Sequence, residues 1–298
     1  MDAHLERREN PCKVHQHVGR SITVPEDDFD KSIARDTNHR PWPKPKGPWL
    51  LMQSWHDLLF AHWPVEAARL RQLVPPPFEL DLYRGQAWIS VVPFHISNFG
   101  LRWSSASARL AFPELNVRTY VRVDDRPGVY FFSLDAGRTL AVAGARTLLN
   151  LPYYPASIRA ERVGRTDVEY RSARWAFPLA GFSALYGPTG PPSTAAVGSL
   201  EHFLTERYCL YHHSRRGVPY RLDIHHPAWQ LQPAFADINT NTMTRASGLT
   251  VDDPPALLQF AQRQDVIAWA PTALHGRQRS VRKVMEYRVL ATGGMWCS

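Results

Sequence analysis

Glu114, Asn116, Arg118 and Tyr120 occupy alternate positions of the segment ELNVRTYVRV (114–123), with Leu115, Val117, Thr119, Val121 and Val123 between and after them. A period of two predicts a β-strand with one polar and one apolar face. The ordinary meaning of such a pattern is a half-buried strand with its polar face in water. The alternative turns the polar face into a barrel whose mouth takes a small molecule. In that setting Arg118 would bind a carboxylate, because its planar fork of N–H donors matches two oxygens. Glu114 would be the acid or base, its pKa set by burial and by the arginine. Asn116, Tyr120 and Tyr208 would orient the ligand.

Other reactive side chains point less clearly to chemistry. His212-His213 and His225-His226 invite a metal ion. Neighbours on a strand face opposite sides, so each pair offers one ligand to a common site and no third is identified. No metal is expected. His62, beside Trp63, reads equally well as a hydrogen-bonded core histidine. There is no GxSxG, Walker or GxGxxG motif, and no cofactor is expected. Cys12, Cys209 and Cys297 form no CxxC-type pair, which fits a reducing compartment, and Cys209 reads as a buried structural thiol.

The formal charge of +8 suggests an acidic partner until it is located. Residues 1–46 carry nine basic and eight acidic side chains, whereas residues 273–298 carry five basic and one acidic. Much of the excess thus lies in a C-terminal tail around Arg277, Arg279, Arg282 and Lys283, not in a patch with interleaved aromatics, and no nucleic-acid partner is expected. No signal-like or membrane-length apolar run occurs, so the cytoplasm is the expected location and no membrane partner is expected.

Certain elements must position these residues. Residues 1–46 are polar and proline-punctuated and read as a disordered or loosely draped extension, ending in a linker at Pro41, Pro43, Pro45 and Pro48. Order is expected from Trp49–Trp55, with one domain over 47–272 and a basic tail over 273–298. Pro64 opens a predicted helix carrying Val65, Ala68, Leu70 and Leu73 on one face, stopped by Pro75-Pro76-Pro77. A strand follows over Gln86–His95, in which Pro93 implies an edge or a bulge. Arg126-Pro127-Gly128 is the expected turn into a strand over Val129–Leu134. Leu140–Leu149 reads as a short helix, and Ile158–Val163 with Asp167–Trp175 as a hairpin around Gly164-Arg165. After a loop over Gly187–Gly198, Ser199 caps a helix. Further strands are expected at Tyr208–His213, Tyr220–His225 and Gln264–Trp269. The sum is a mainly β chain, an antiparallel barrel or sandwich with a few covering helices.

Several segments taken together resemble the YqjF-like family of uncharacterised bacterial proteins: WHDLLFAHWPV (55–65), LRQLVPPPFELDLYRGQAWISVVPF (70–94), ELNVRTYV (114–121), GVYFFSLDA (128–136) and SLEHFLTERYCLY (199–211). The resemblance spans roughly residues 49–272. That family is distantly similar to acetoacetate decarboxylase, which implies a cone-like antiparallel β-barrel with its site inside the cone. On this resemblance Glu114 falls near an active-site glutamate, and the essential lysine pair would fall in the region of Arg146–Pro155. No lysine lies there, nor anywhere between Lys46 and Lys283. Schiff-base chemistry needs an amine that can lose its proton, and a guanidinium cannot replace it. The resemblance therefore implies the barrel and the pocket without the amine reaction. Three functions stay open: a barrel binding a carboxylate or carbonyl metabolite, a lyase- or isomerase-type enzyme using Glu114 and Arg118, and a non-catalytic interaction protein. A homo-oligomer is compatible with each.

Overall fold

In the computed structural model, which describes residues 20–21, 29–137, 151–214 and 216–274, most of the chain is extended. The strands are β1 (Arg20–Ser21), β2 (Leu51–Val65), β3 (Glu79–Leu80), β4 (Ala87–Leu101), β5 (Leu110–Val123), β6 (Arg126–Ala136) and β7 (Tyr153–Val163). They continue as β8 (Asp167–Arg174), β9 (Gly181–Pro188), β10 (Cys209–His213), β11 (Pro219–His225), β12 (Gln232–Asn241), β13 (Leu257–Ala268) and β14 (Thr272–Ala273). Short helices α1 (Ala67–Leu73), α2 (Leu200–Thr205) and α3 (Met243–Ala246) lie in the connections.

The pairings close on themselves twice. One ring runs β13-β2-β4-β5-β6-β10-β11 and returns to β13. A second runs β6-β7-β8-β9-β12-β13-β2-β4-β5 and returns to β6, so five strands form a wall common to both. The expected mainly β, barrel-like architecture is present, but the sheet is mixed. β6 meets both β10 and β7 in parallel, through short pairings at Val129–Tyr130 and Leu134–Ala136.

Each ring has its own core, and β5 serves both. Leu115, Val117 and Val121 pack with Val168, Tyr170 and Phe182 in the second ring, while Tyr120 packs with Phe60, Val129 and Trp229 in the first. The shared strands are thus covered on both faces, which is why β2 carries the unbroken run LLFAHW instead of an alternation. Polar contacts cross the second core at fixed points. Arg174 of β8 clasps Asp135 of β6, Arg162 of β7 clasps Asp57 of β2, and Tyr170 and Tyr186 donate to the backbone oxygens of Glu114 and Asp57 at 2.8 and 3.0 Å.

Several expectations are met locally. Ser199 caps α2 by accepting the His202 N–H at 3.2 Å, and Gly164, with φ +70°, makes the β7–β8 turn. Pro93 lies opposite the stretch where the β2–β4 register breaks, between His56 and Ala61, so its missing N–H disturbs no regular ladder. Others are corrected. Pro64 belongs to the end of β2, and α1 starts only at Ala67. The β5–β6 turn is at Asp124-Asp125, with Asp124 at φ +51°, while Arg126-Pro127-Gly128 is already paired strand. Gly128 is required there for another reason: a Cβ would stand 2.7 Å from the backbone oxygen of Cys209 on β10.

Residues 29–46 are docked on the barrel, not loosely draped. Phe29 and Ile33 are buried against Trp49, Met52, Ile267 and Trp269, and Arg40 Nη1 donates to the Ile224 carbonyl at 2.8 Å. Burying Phe29 and Ile33 removes two apolar side chains from water and so favours the docked segment. The predicted helix over Leu140–Leu149 and the basic residues 277–283 lie outside the described residues.

Candidate functional site

The first ring encloses a cavity lined by side chains from several of its strands. β5 turns Glu114, Asn116 and Arg118 into it, so the polar face of that strand lines the inside of the barrel. Trp55 and Phe60 from β2, Phe94 from β4, Phe131 from β6 and Trp229 after β11 form aromatic walls. Thr205, Arg207 and His226 add polar groups from segments remote in sequence.

Glu114 is 3% exposed, and its Oε2 accepts the Tyr153 hydroxyl at 3.1 Å. Burial pushes its pKa up to about 8, outweighing the hydrogen bonds from Tyr153 and Asn116 that favour the charged form, with Asp135 adding to the rise. At neutral pH this carboxyl is mostly protonated. Burial and the adjacent glutamate also hold Tyr153 well above the usual phenol range, so its O–H remains a donor.

Arg118 is 8% exposed. Its Nη2 donates to the Leu204 carbonyl at 3.1 Å, its Nε has no partner, and its guanidinium lies 5.2 Å from the Phe60 ring centroid. Among the described residues no carboxylate pairs with it. Arg207 differs, because Asp81 at 2.6 Å and the Phe203 carbonyl at 2.6 Å satisfy it. Behind Arg118 runs a buried polar chain in which His62 Nδ1 lies 2.6 Å from Ser90 Oγ, itself 2.6 Å from Tyr120 Oη. Burial, reinforced by the charge of Arg118, pushes His62 down to about 3 and keeps it neutral.

Glu114, Asn116 and Arg118 are therefore brought together around one space. Tyr120 does not line it and instead closes the chain to Ser90 and His62. Tyr208 stands one layer further out, stacked on His226 at 4.6 Å, bonded to Glu206 and covered by Arg40 at 4.6 Å. The paired histidines diverge, His225 closing β11 and His226 lying just past it. His226 faces the cavity, His225 Nε2 meets the Ile33 carbonyl at 2.8 Å, and His212 stacks on Tyr130. Among the described residues no group of three or more His, Cys, Asp or Glu side chains could hold a metal ion, and no helix is long and apolar enough to cross a membrane.

Sequence reasoning missed Tyr153, Arg207, His226 as a lining residue, Trp55 and Trp229. They come from four separate segments, with His226 and Trp229 together in the stretch after β11, and only ring closure collects them. Tyr153 alone had a local signal, as it lies within LPYYP, the region the resemblance aligns with the decarboxylase lysines.

The family model DUF2071, described as "Uncharacterized conserved protein (COG2071)", matches residues 52–265. Uncharacterized protein YqjF of Bacillus subtilis (strain 168) is 49% identical over 227 residues, covering 76% of this chain and 93% of its own. Two solved structures share the fold at low identity. Acetoacetate decarboxylase of Legionella pneumophila aligns with a TM-score of 0.51 and 14% identity, over 85% of this chain and 98% of its own. The enduracididine biosynthesis enzyme MppR, complexed with the condensation product of pyruvate and imidazole 4-carboxaldehyde, aligns with a TM-score of 0.52 and 12% identity, over 76% of this chain and 90% of its own. An acetoacetate-decarboxylase-like fold is thus wrapped around a YqjF-like sequence, and the chain belongs to the DUF2071 family.

Proposed function

We propose that the protein binds a small carboxylate- or carbonyl-containing metabolite in the cavity of the first ring, in the reducing cytoplasmic setting to which its scattered cysteines are suited. The guanidinium of Arg118 carries this reading. It is buried, lines the cavity, keeps an unpartnered Nε and lacks a carboxylate partner among the described residues. A buried charge without a counter-charge is costly, and a ligand carboxylate would supply one through charge-assisted hydrogen bonds. Titration calorimetry with a short oxo acid and its neutral amide tests the idea. The acid is expected to bind roughly tenfold to a hundredfold tighter, equivalent to about 1.4–2.8 kcal/mol. Arg118→Met should remove the difference. Equal affinity for acid and amide in the wild-type protein would overturn the reading.

A second reading is favoured by Glu114. A carboxyl held at about 8 is poised to give and take a proton near neutral pH, so a lyase- or isomerase-type proton transfer beside a carbonyl is the chemistry it suits. Arg118 would then stabilise developing negative charge. Neither reading uses an imine. The sequence holds no lysine between Lys46 and Lys283, and Lys44 is engaged with the Ala34 carbonyl outside the cavity. Borohydride reduction in the presence of acetoacetate is expected to leave the intact mass unchanged. A stable adduct on a lysine would contradict this part of the proposal.

A further inference from the structure

The cavity has two polar poles. Arg118 and Glu114 lie four residues apart on β5, about 13 Å along an extended strand. The wall that connects them is aromatic throughout. Phe60 sits under the Arg118 guanidinium, Trp229 meets Phe60 edge-on at 5.0 Å and stacks with Trp55 at 6.1 Å, and Trp55 meets Phe94 at 5.8 Å. Phe94 is the residue directly opposite Glu114 on the neighbouring strand. The wall therefore runs from one pole to the other without a break.

The two poles differ in chemistry. Arg118 is a permanent cation with a free N–H, whereas Glu114 is a neutral acid over most of the physiological range, backed by the Tyr153 hydroxyl. Within the wall, the indole N–H groups of Trp55 and Trp229 are buried without a partner. Unpaired buried donors are costly, and both belong to residues that line the cavity. A two- or three-carbon acid held by Arg118 would leave Glu114 out of reach and the aromatic wall between the poles largely uncovered.

Resting on the carboxylate reading above, we propose that the ligand is an aryl-substituted monocarboxylic acid with an oxygen function at the end remote from its carboxylate. The carboxylate pairs with Arg118. The ring lies along Phe60, Trp229 and Trp55, where offset and edge-to-face contacts add to simple burial. The remote hydroxyl or carbonyl oxygen meets Glu114.

Titration calorimetry on the full chain with para-hydroxyphenylpropionate, phenylpropionate, para-hydroxyphenylpropionamide and acetoacetate tests this. The hydroxylated acid is expected to bind roughly tenfold tighter than phenylpropionate, the ratio corresponding to one satisfied buried hydrogen bond. It should also bind tighter than acetoacetate. Glu114→Leu should narrow the gap between the two aryl acids, because it removes the hydrogen-bonding group, and Trp229→Leu should weaken both aryl acids while sparing acetoacetate. If a variant fails to fold, the wild-type ligand series decides alone. Acetoacetate binding as tightly as the hydroxylated acid, with the amide still rejected, would sink the aryl proposal and leave the carboxylate reading intact. The amide binding as well as its acid would remove the carboxylate reading itself. Absence of saturable binding by all four to millimolar concentration would overturn both.

Discussion

Arg174→Met is expected to cost about 3–5 kcal/mol of folding stability, the range for removing one partner of a buried ion pair. Arg174 holds both oxygens of Asp135, with Nη2 at 2.6 Å and Nε at 2.8 Å, and the two side chains are 1% and 0% exposed. Burial already raises the Asp135 pKa, and Arg174 pulls it back. Without the arginine the carboxylate must either stay charged and unpaired or take up a proton. The pair also bolts β8 to the shared wall one residue beyond Glu114, since Asp135 is the register partner of Leu115. Guanidinium denaturation of wild type and variant measures the loss. Asp135→Leu combined with Arg174→Met should recover most of it, because a matched apolar pair leaves no charge behind. A loss below about 1 kcal/mol in the single variant would place this pair with exposed ion pairs, which contribute little.

What the sequence disclosed follows from which faces were distinct. The alternation in β5 was legible because one face carries Leu, Val and Thr and the other Glu, Asn, Arg and Tyr. It could not reveal which face met the cavity, since both are covered and only the second ring tells them apart. β2 showed merely where order starts, because a strand buried on both sides has no alternation to read. β9 and β12 were missed; the sequence of β12, QPAFADINTN, has the proline, aspartate and asparagines of a loop and is mostly half-buried or exposed. The Pro-Gly pair at 127–128 looked like a turn, yet its glycine answers to the close approach of β10, a contact remote in sequence. The same limit applies to the site. Glu114, Asn116 and Arg118 share one strand and could be found together, whereas Arg207, His226 and Trp229 join them only through closure of β11 onto β13.

Glu114→Gln is expected to flatten the pH dependence of stability on the alkaline side. The folded protein holds Glu114 at about 8, against about 4.5 for the exposed group, so between those values the folded chain keeps a proton that the unfolded chain has released. Stability therefore falls as pH rises through this window, by up to about 1.4 kcal/mol per pH unit from this one group. The cost is absent below 4.5 and complete above 8. Glutamine keeps the shape, remains neutral and can still accept the Tyr153 hydroxyl, so the variant should match wild type near pH 4 and exceed it by a few kcal/mol near pH 9. Asp57 and Asp135 are also raised by burial and titrate in both proteins, so the difference between the two curves isolates Glu114. Parallel curves across the window would mean that Glu114 ionises as it does in water, and its case as a proton carrier would fall with them. If the curves diverge as expected, the same variant addresses catalysis. Wild-type protein in deuterium oxide should incorporate deuterium beside the carbonyl of a bound oxo acid, and Glu114→Gln should not. Equal exchange by both proteins would leave Glu114 a binding group, with any proton transfer assigned elsewhere.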